Sequence, residues 1–202
     1  GLTPGDTIFF IADREAQAAL YAGQIRTELG NRLDLIEKNS YRFCYINDFP
    51  MYEYDNEEKK YIFTHNPFSM PQGGLEALNT KEPSEILAYQ YDIVCNGIEL
   101  SSGAVRNHDL DIMVKAFEIA GYTEEDLKEK FGALYNAFQF GAPPHAGMAP
   151  GVDRMIMLLR NEENIREIIP FPMNGNAQDL MCGAPNEVSE QQLREVHIKV
   201  RQ

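Results

Sequence analysis

Asn96-Gly97 lies between two runs rich in strand-forming residues, Gln90-Tyr91-Asp92-Ile93-Val94-Cys95 and Ile98-Glu99-Leu100. Asn-Gly readily takes the two positive φ angles of a tight hairpin turn, so this dipeptide constrains the chain more than any other pair. It dictates an antiparallel hairpin across 90–103 and sets its register. Cys95 is expected opposite Ile98, Val94 opposite Glu99 and Asp92 opposite Ser101. One face then carries Tyr91, Ile93, Cys95, Ile98 and Leu100, and should pack on helices. The other carries Gln90, Asp92, Val94, Glu99 and Ser101. Asp92 and Glu99 become diagonal neighbours, roughly 7–8 Å apart at their bases. Two carboxylates so placed repel unless a cation sits between them, and such oxygen pairs suit Mg²⁺ shared with phosphates. A solvent-facing polar face has the same pattern, and the hairpin alone leaves both readings open. In an unbroken strand Arg106 would face away from Glu99. Ser101-Ser102-Gly103 is the expected place for a bulge or bend that brings the two together. A regular ladder burying Arg106 against helices would rule that out.

A second stretch, 141–160, changes character halfway. Its first half, Gly141-Ala142-Pro143-Pro144-His145-Ala146-Gly147-Met148-Ala149-Pro150, is small residues and prolines, which do not sustain a helix. Its second half places Val152, Met155, Ile156 and Leu159 at the spacing of one helical face, expected to be buried. Gly151 marks the junction, where a missing side chain lets a ligand approach the backbone. Arg154 falls in the first helical turn, where a cation opposes the positive end of the helix dipole. An anion is needed to offset it. A triphosphate pairs with a guanidinium through two oxygens at once; a nearby carboxylate serves equally.

The rest of the chain reads as short elements. Residues 6–13 form an apolar strand, and Asp13 caps a helix that ends at Gly30. A second strand covers 41–48, residues 55–60 are a charged turn, and 61–64 are extended. His65-Asn66-Pro67-Phe68-Ser69-Met70-Pro71 is a loop because of its two prolines. A helix over 109–120 has Leu110, Met113, Val114 and Phe117 on one face and stops at Gly121. Thr123-Glu124-Glu125-Asp126 resembles a capping box that opens a helix burying Leu127, Phe131, Leu134, Tyr135 and Phe138. A helical turn is expected at 164–168. Ser189-Glu190-Gln191-Gln192 is a second box, for a helix to about 196.

Composition narrows the function classes. The 202 residues are 44% hydrophobic, enough for a sizeable core, and carry a net charge of −13. That balance argues against a broad basic face for nucleic acid. No apolar run is long enough to span a membrane. The first residue is Gly, with no charged-then-apolar leader, so no secretion signal is expected and the chain reads as cut from something longer. Three scattered cysteines, Cys44, Cys95 and Cys182, fit a reduced cytoplasmic setting without structural zinc.

Taken together, several segments resemble the bacterial aspartyl-tRNA synthetases, a branch of the class II aminoacyl-tRNA synthetases. They are Asn47-Asp48-Phe49-Pro50-Met51-Tyr52-Glu53, His65-Asn66-Pro67-Phe68, Ala88-Tyr89-Gln90-Tyr91-Asp92-Ile93-Val94-Cys95-Asn96-Gly97, residues 99–106, Phe131-Gly132 and residues 141–159. The last is similar to the third signature motif of the class. The resemblance covers nearly the whole chain. It implies an α+β fold, an antiparallel sheet flanked by helices. Residues 1–33 would be the C-terminal end of an inserted, GAD-like α+β domain, and 34–202 the C-terminal half of the catalytic domain.

The resemblance also implies roles. Arg154 matches an arginine that holds ATP phosphates, with Gly151, Val152 and Asp153 completing the segment. Glu99 matches a carboxylate associated with ATP and Mg²⁺, and Asp92 the neighbouring acid. Arg106 matches the arginine that grips the aspartate side chain, and His65 the histidine of the amino-acid pocket. A neutral asparagine would leave that arginine unpaired, which accounts for amino-acid choice. Three departures touch the pocket. Asn66 stands where a second histidine is usual, Ser101-Ser102-Gly103-Ala104 where Gly-Gly-Gly-Ser is, and Arg106-Asn107-His108 where Arg-Ile-His is. The anticodon-binding barrel and the first two signature motifs lie outside the sequence. The expected partners are L-aspartate, ATP and tRNA, the last held mostly by parts absent here, with a homodimer in the full-length enzyme. The alternative is a noncatalytic paralogue that keeps the fold and binds a small ligand.

Overall fold

The computed structural model describes residues 1–201 and divides the chain into two units, 1–42 and 43–202. In the first, helix α1 spans Glu15–Arg32. It starts later than expected: Asp13 accepts from the Arg14 amide at 2.7 Å, but no side chain caps the helix. The expected strand at 6–13 does not form. Its Phe9 and Phe10 are exposed, and among the described residues no strand pairs with it to supply the ladder an apolar run requires.

The second unit is built on a sheet of β1 (Phe43–Pro50), β4 (Leu87–Cys95), β5 (Ile98–Val105) and β6 (Ala146–Pro150), in the spatial order β1-β4-β5-β6. All pairs are antiparallel. Asn96 and Gly97 both have positive φ, 51° and 81°, as the hairpin reading required. A smaller hairpin, β2 (Tyr52–Asp55) with β3 (Lys60–Phe63), places the charged turn at its tip.

Helices α2 (Gly74–Thr80), α3 (Leu110–Ile119) and α4 (Glu124–Phe138) form the apolar layer with that hairpin. Asp109 caps α3 by accepting from the amides of Asp111 and Ile112, and Gly121 follows its end at φ 85°. The expected capping boxes are present at Thr123/Asp126, opening α4, and at Ser189/Gln192, opening α6 (Glu190–Glu195). The core falls into two clusters. Met51, Tyr52, Leu78, Ile86, Ala88, Ala116 and Ala120 form one; Met113, Phe117, Leu127 and Tyr135 form the other. The Tyr52 hydroxyl donates to the Ala116 carbonyl at 2.9 Å, and burial pushes its pKa up, keeping it a donor. Phe117 touches the rings of Phe63, Phe68 and Phe131 at centroid separations of 4.9, 5.6 and 5.9 Å. Phe117→Ala is expected to lower stability by about 3–5 kcal/mol in urea unfolding, as other large core truncations do.

Helix α5 spans Val152–Arg160 behind β6, as the change at Gly151 implied. Its apolar face is not buried as expected. Val152, Ile156 and Leu159 are exposed, and Met157 is the side chain that packs inward. Periodicity shows which residues share a face; it does not show what covers that face.

Candidate active site on one sheet face

The β4–β5 ladder decides which side chains share a face. Cys95 pairs with Ile98 and Val94 with Glu99, as the turn dictates, but Asp92 lies opposite Ser102 and Ile93 opposite Ser101. One residue of β5, Leu100, is therefore extra, and the bulge sits just before the Ser-Ser-Gly stretch where it was expected. From Ser101 to Ala104 the ladder is regular. The bulge reverses the alternation once, so Glu99, Ser102, Ala104 and Arg106 point to one side together with Gln90 and Asp92. Arg106 continues β5 along its β6 side, its amide donating to the His145 carbonyl at 2.9 Å. Asp92 and Glu99 remain diagonal neighbours, as expected: Glu99 pairs with Val94, two residues along β4 from Asp92.

The bulge also joins the strand to α5. The Gly151 amide donates to the Leu100 carbonyl at 2.7 Å, and Arg154 Nη1 donates to the Glu99 carbonyl at 2.7 Å. The same nitrogen lies 3.4 Å from the Glu99 carboxylate, both side chains being nearly half exposed. The cation in the first helical turn thus has a carboxylate beside it, the simpler of the two readings its position allowed. It stays open to solvent and able to reach a second anion. Val152 and Asp153 are exposed in the same turn.

At the other end of the face, roughly 20 Å along β5 at about 3.3 Å per residue, Arg106 enters a cleft of about 560 Å³. His65, Asn66, Gln90, Ser102 and Ala149 also line it. The Arg106 guanidinium makes no side-chain hydrogen bond or ion pair among the described residues. A half-buried cation without a counter-charge in a concave site calls for an anionic ligand. The His65 ring packs edge-on against Phe49 at 4.8 Å, which fixes its plane at the cleft. Asn66 spends its side chain on the loop, accepting from the Phe68 amide at 2.9 Å.

Gln90 was not among the residues singled out from the sequence. Its signal was its position, two residues before Asp92 on the polar face. Gly103 was noted only as part of a possible bend. A Cβ there would collide with the Gly147 carbonyl oxygen and the Tyr91 ring. Tyr91 crosses over Gly103 and donates to that carbonyl at 2.9 Å, tying β4 to β6 across β5. Gly103→Ala is expected to break this strap and lower the melting temperature by several degrees; an unchanged melting curve would count against it. Ser101 points to the opposite face, is 4% exposed, and its hydroxyl has no partner among the described residues. Ser101→Ala should therefore be neutral or stabilising by up to about 1 kcal/mol in urea unfolding.

No group of three or more His, Cys, Asp or Glu side chains among the described residues could hold a metal. The carboxylate pair expected from the sequence, Asp92 and Glu99, would supply two donors. That fits Mg²⁺, which keeps waters and takes one or two carboxylates plus phosphates, better than a metal needing a full protein cage. No described helix is long and apolar enough to cross a membrane.

The sheet face thus carries two acids and an arginine at one end and, in a cleft at the other, an arginine with no ion pair among the described residues. The chain belongs to the class II tRNA synthetases (D, K and N), whose family model matches residues 13–175. Its similarity is to the aspartate branch. It is 62% identical over 200 residues to the aspartate–tRNA(Asp/Asn) ligase of Zymomonas mobilis, covering 99% of this chain and 34% of that protein. It is 58% identical to the aspartate–tRNA ligase of Streptomyces avermitilis, again covering 99% and 34%. The chain therefore spans about a third of the length of these relatives. The aspartyl-tRNA synthetase of Entamoeba histolytica shares the fold, with a TM-score of 0.50 at 22% identity over 87% of this chain and 29% of that one.

Proposed function

We propose that this chain is the C-terminal part of an aspartate–tRNA ligase, comprising the end of an inserted domain (1–33) and half of the catalytic domain (34–202). The reaction joins the aspartate α-carboxylate to the α-phosphate of ATP, releasing pyrophosphate, and then passes the aspartyl group to the terminal ribose of tRNA. The observation that carries the reading is the Leu100 bulge, which turns Asp92, Glu99 and Arg106 to one face and presents the Glu99 carbonyl to Arg154.

In this reading Arg106 binds the side-chain carboxylate of aspartate through two charge-assisted hydrogen bonds. His65 closes the same cleft. Arg154 takes phosphate oxygens, while Gly151 lets the nucleotide approach the start of α5. Asp92 and Glu99 would hold Mg²⁺, which when bound neutralises phosphate charge. The chain's own groups contribute position and charge. Two of the three cysteines are poorly placed to act as nucleophiles: Cys95 is buried, and the hydrogen bond to Asp179 pushes the Cys182 thiol up, away from the reactive thiolate. Cytoplasmic location, tRNA contacts largely outside these residues and a homodimeric complete enzyme belong to the same proposal.

Aspartate-dependent exchange of pyrophosphate into ATP tests it. The full-length protein is expected to catalyse exchange with aspartate and not with asparagine or lysine, and the isolated 202-residue chain to be inactive. Absence of exchange by the full-length protein would overturn the activity. Exchange by the isolated chain at a comparable rate would overturn the claim that half the site lies elsewhere.

A further inference from the structure

Gln90 is 7% exposed, yet it borders the Arg106 cleft. It pairs with Ala104 across the ladder, which puts it on the same face as Arg106. Its amide nitrogen is committed: it donates to the Asn66 carbonyl at 3.2 Å and to Ser69 Oγ at 2.9 Å, with Ser69 fully buried. A backbone carbonyl can only accept, so the nitrogen must face the 65–71 loop. Oε1 is left facing the other way, and among the described residues it accepts no hydrogen bond. Oε1 is not among the described polar atoms shut off from solvent, so, with its nitrogen held by two bonds, it stands as a fixed acceptor open to the cleft.

We infer that Gln90 Oε1 accepts a hydrogen bond from the α-ammonium of the amino-acid substrate, making Gln90 a substrate-contacting residue of the pocket. The inference rests on the aspartate reading of the cleft. Aspartate carries two carboxylates, which can only accept, and one donor group, its ammonium. An oxygen offering only lone pairs repels the carboxylates. With the side-chain carboxylate on Arg106, the ammonium is the group that satisfies Gln90. The bonds to Asn66 and Ser69 fix the acceptor before substrate arrives, so little freedom is lost on binding. They also give position 66 a task that does not depend on its side chain: its backbone carbonyl anchors Gln90.

Succinate is aspartate without the ammonium, and a comparison of the two ligands isolates the contact. On the full-length enzyme, Gln90→Met is expected to weaken L-aspartate binding about tenfold or more, as loss of a hydrogen bond to a charged group does. Succinate, measured by competition, should change less than about twofold, because it never made the bond. Equal weakening of both ligands by Gln90→Met would reduce Gln90 to a loop brace and overturn the inference. So would weakening of neither. Arg106→Leu in the same assay separates the two claims: it should weaken both ligands, and if it weakens neither, the aspartate reading itself fails.

Discussion

Replacing Arg106 by leucine is expected to lower kcat/KM for aspartate by roughly a hundred- to a thousandfold, the range for removing one partner of a desolvated, hydrogen-bonded charge pair. The KM for ATP should stay within about twofold, because the nucleotide end of the face lies some 20 Å away along β5. Arg106→Lys should recover only part of the loss: an ammonium is a point charge and cannot present the paired donors that match a carboxylate. Steady-state exchange kinetics with each substrate varied in turn measure both effects. The reason to expect so large a change is the isolation of the side chain. The guanidinium makes no side-chain hydrogen bond or ion pair among the described residues, so its binding capacity is unspent in the free protein.

The second large effect falls on Arg154. Arg154→Ala should reduce kcat by about a hundred- to a thousandfold, the cost of losing one preorganised donor to transition-state charge. Here the side chain is engaged in the free protein, donating to the Glu99 carbonyl with the Glu99 carboxylate 3.4 Å away. That contact adds little stability, because both groups are nearly half exposed and solvent screens the pair. The mutant is therefore expected to unfold at close to the wild-type urea concentration while losing activity. A large loss of stability with intact turnover would make Arg154 a strut between α5 and β5 instead.

Much of the fold could be read from residue types with local duties. Asn96-Gly97 gave the central hairpin because few other dipeptides accept two positive φ angles. Thr123/Asp126 and Ser189/Gln192 gave helix starts because they satisfy amides that nothing else in a helix can. The departures came where the answer depends on distant chain. Residues 6–13 have the apolar pattern of a strand, but pattern does not supply a neighbour to pair with. The face of α5 was read correctly as apolar and wrongly as buried, for the same reason. Strand β2 and helix α2 went unread, since four residues and seven residues are too short for periodicity to show.

The candidate site shows the same division. Asp92, Glu99, Arg106 and Arg154 were singled out as charged side chains near a hairpin turn and a helix start, and their proposed roles came from the resemblance to the synthetases. The parity argument also held: Arg106 could share a face with Glu99 only if the strand slipped by one residue. The slip occurs at Leu100, not within Ser101-Ser102-Gly103, and its advantage there is that the Glu99 and Leu100 carbonyls can receive Arg154 and Gly151. That pairing joins residues far apart in sequence and has no local signature. Gln90 was passed over because a glutamine on a polar strand face is unremarkable until the loop that takes its nitrogen is seen to leave its oxygen alone.

The central claim is that one sheet face reads an acidic amino acid at Arg106 and a nucleotide at Glu99 and Arg154, as parts of a single ligand. Calorimetry on the full-length protein with a non-hydrolysable aspartyl-adenylate analogue and its asparaginyl counterpart tests it most directly. The account predicts that the aspartyl compound binds at least about a hundredfold more tightly, and that Arg106→Leu removes that preference while leaving the affinity for ATP alone unchanged. Equal affinity for the two analogues in the wild type, or a preference that survives Arg106→Leu, would contradict it.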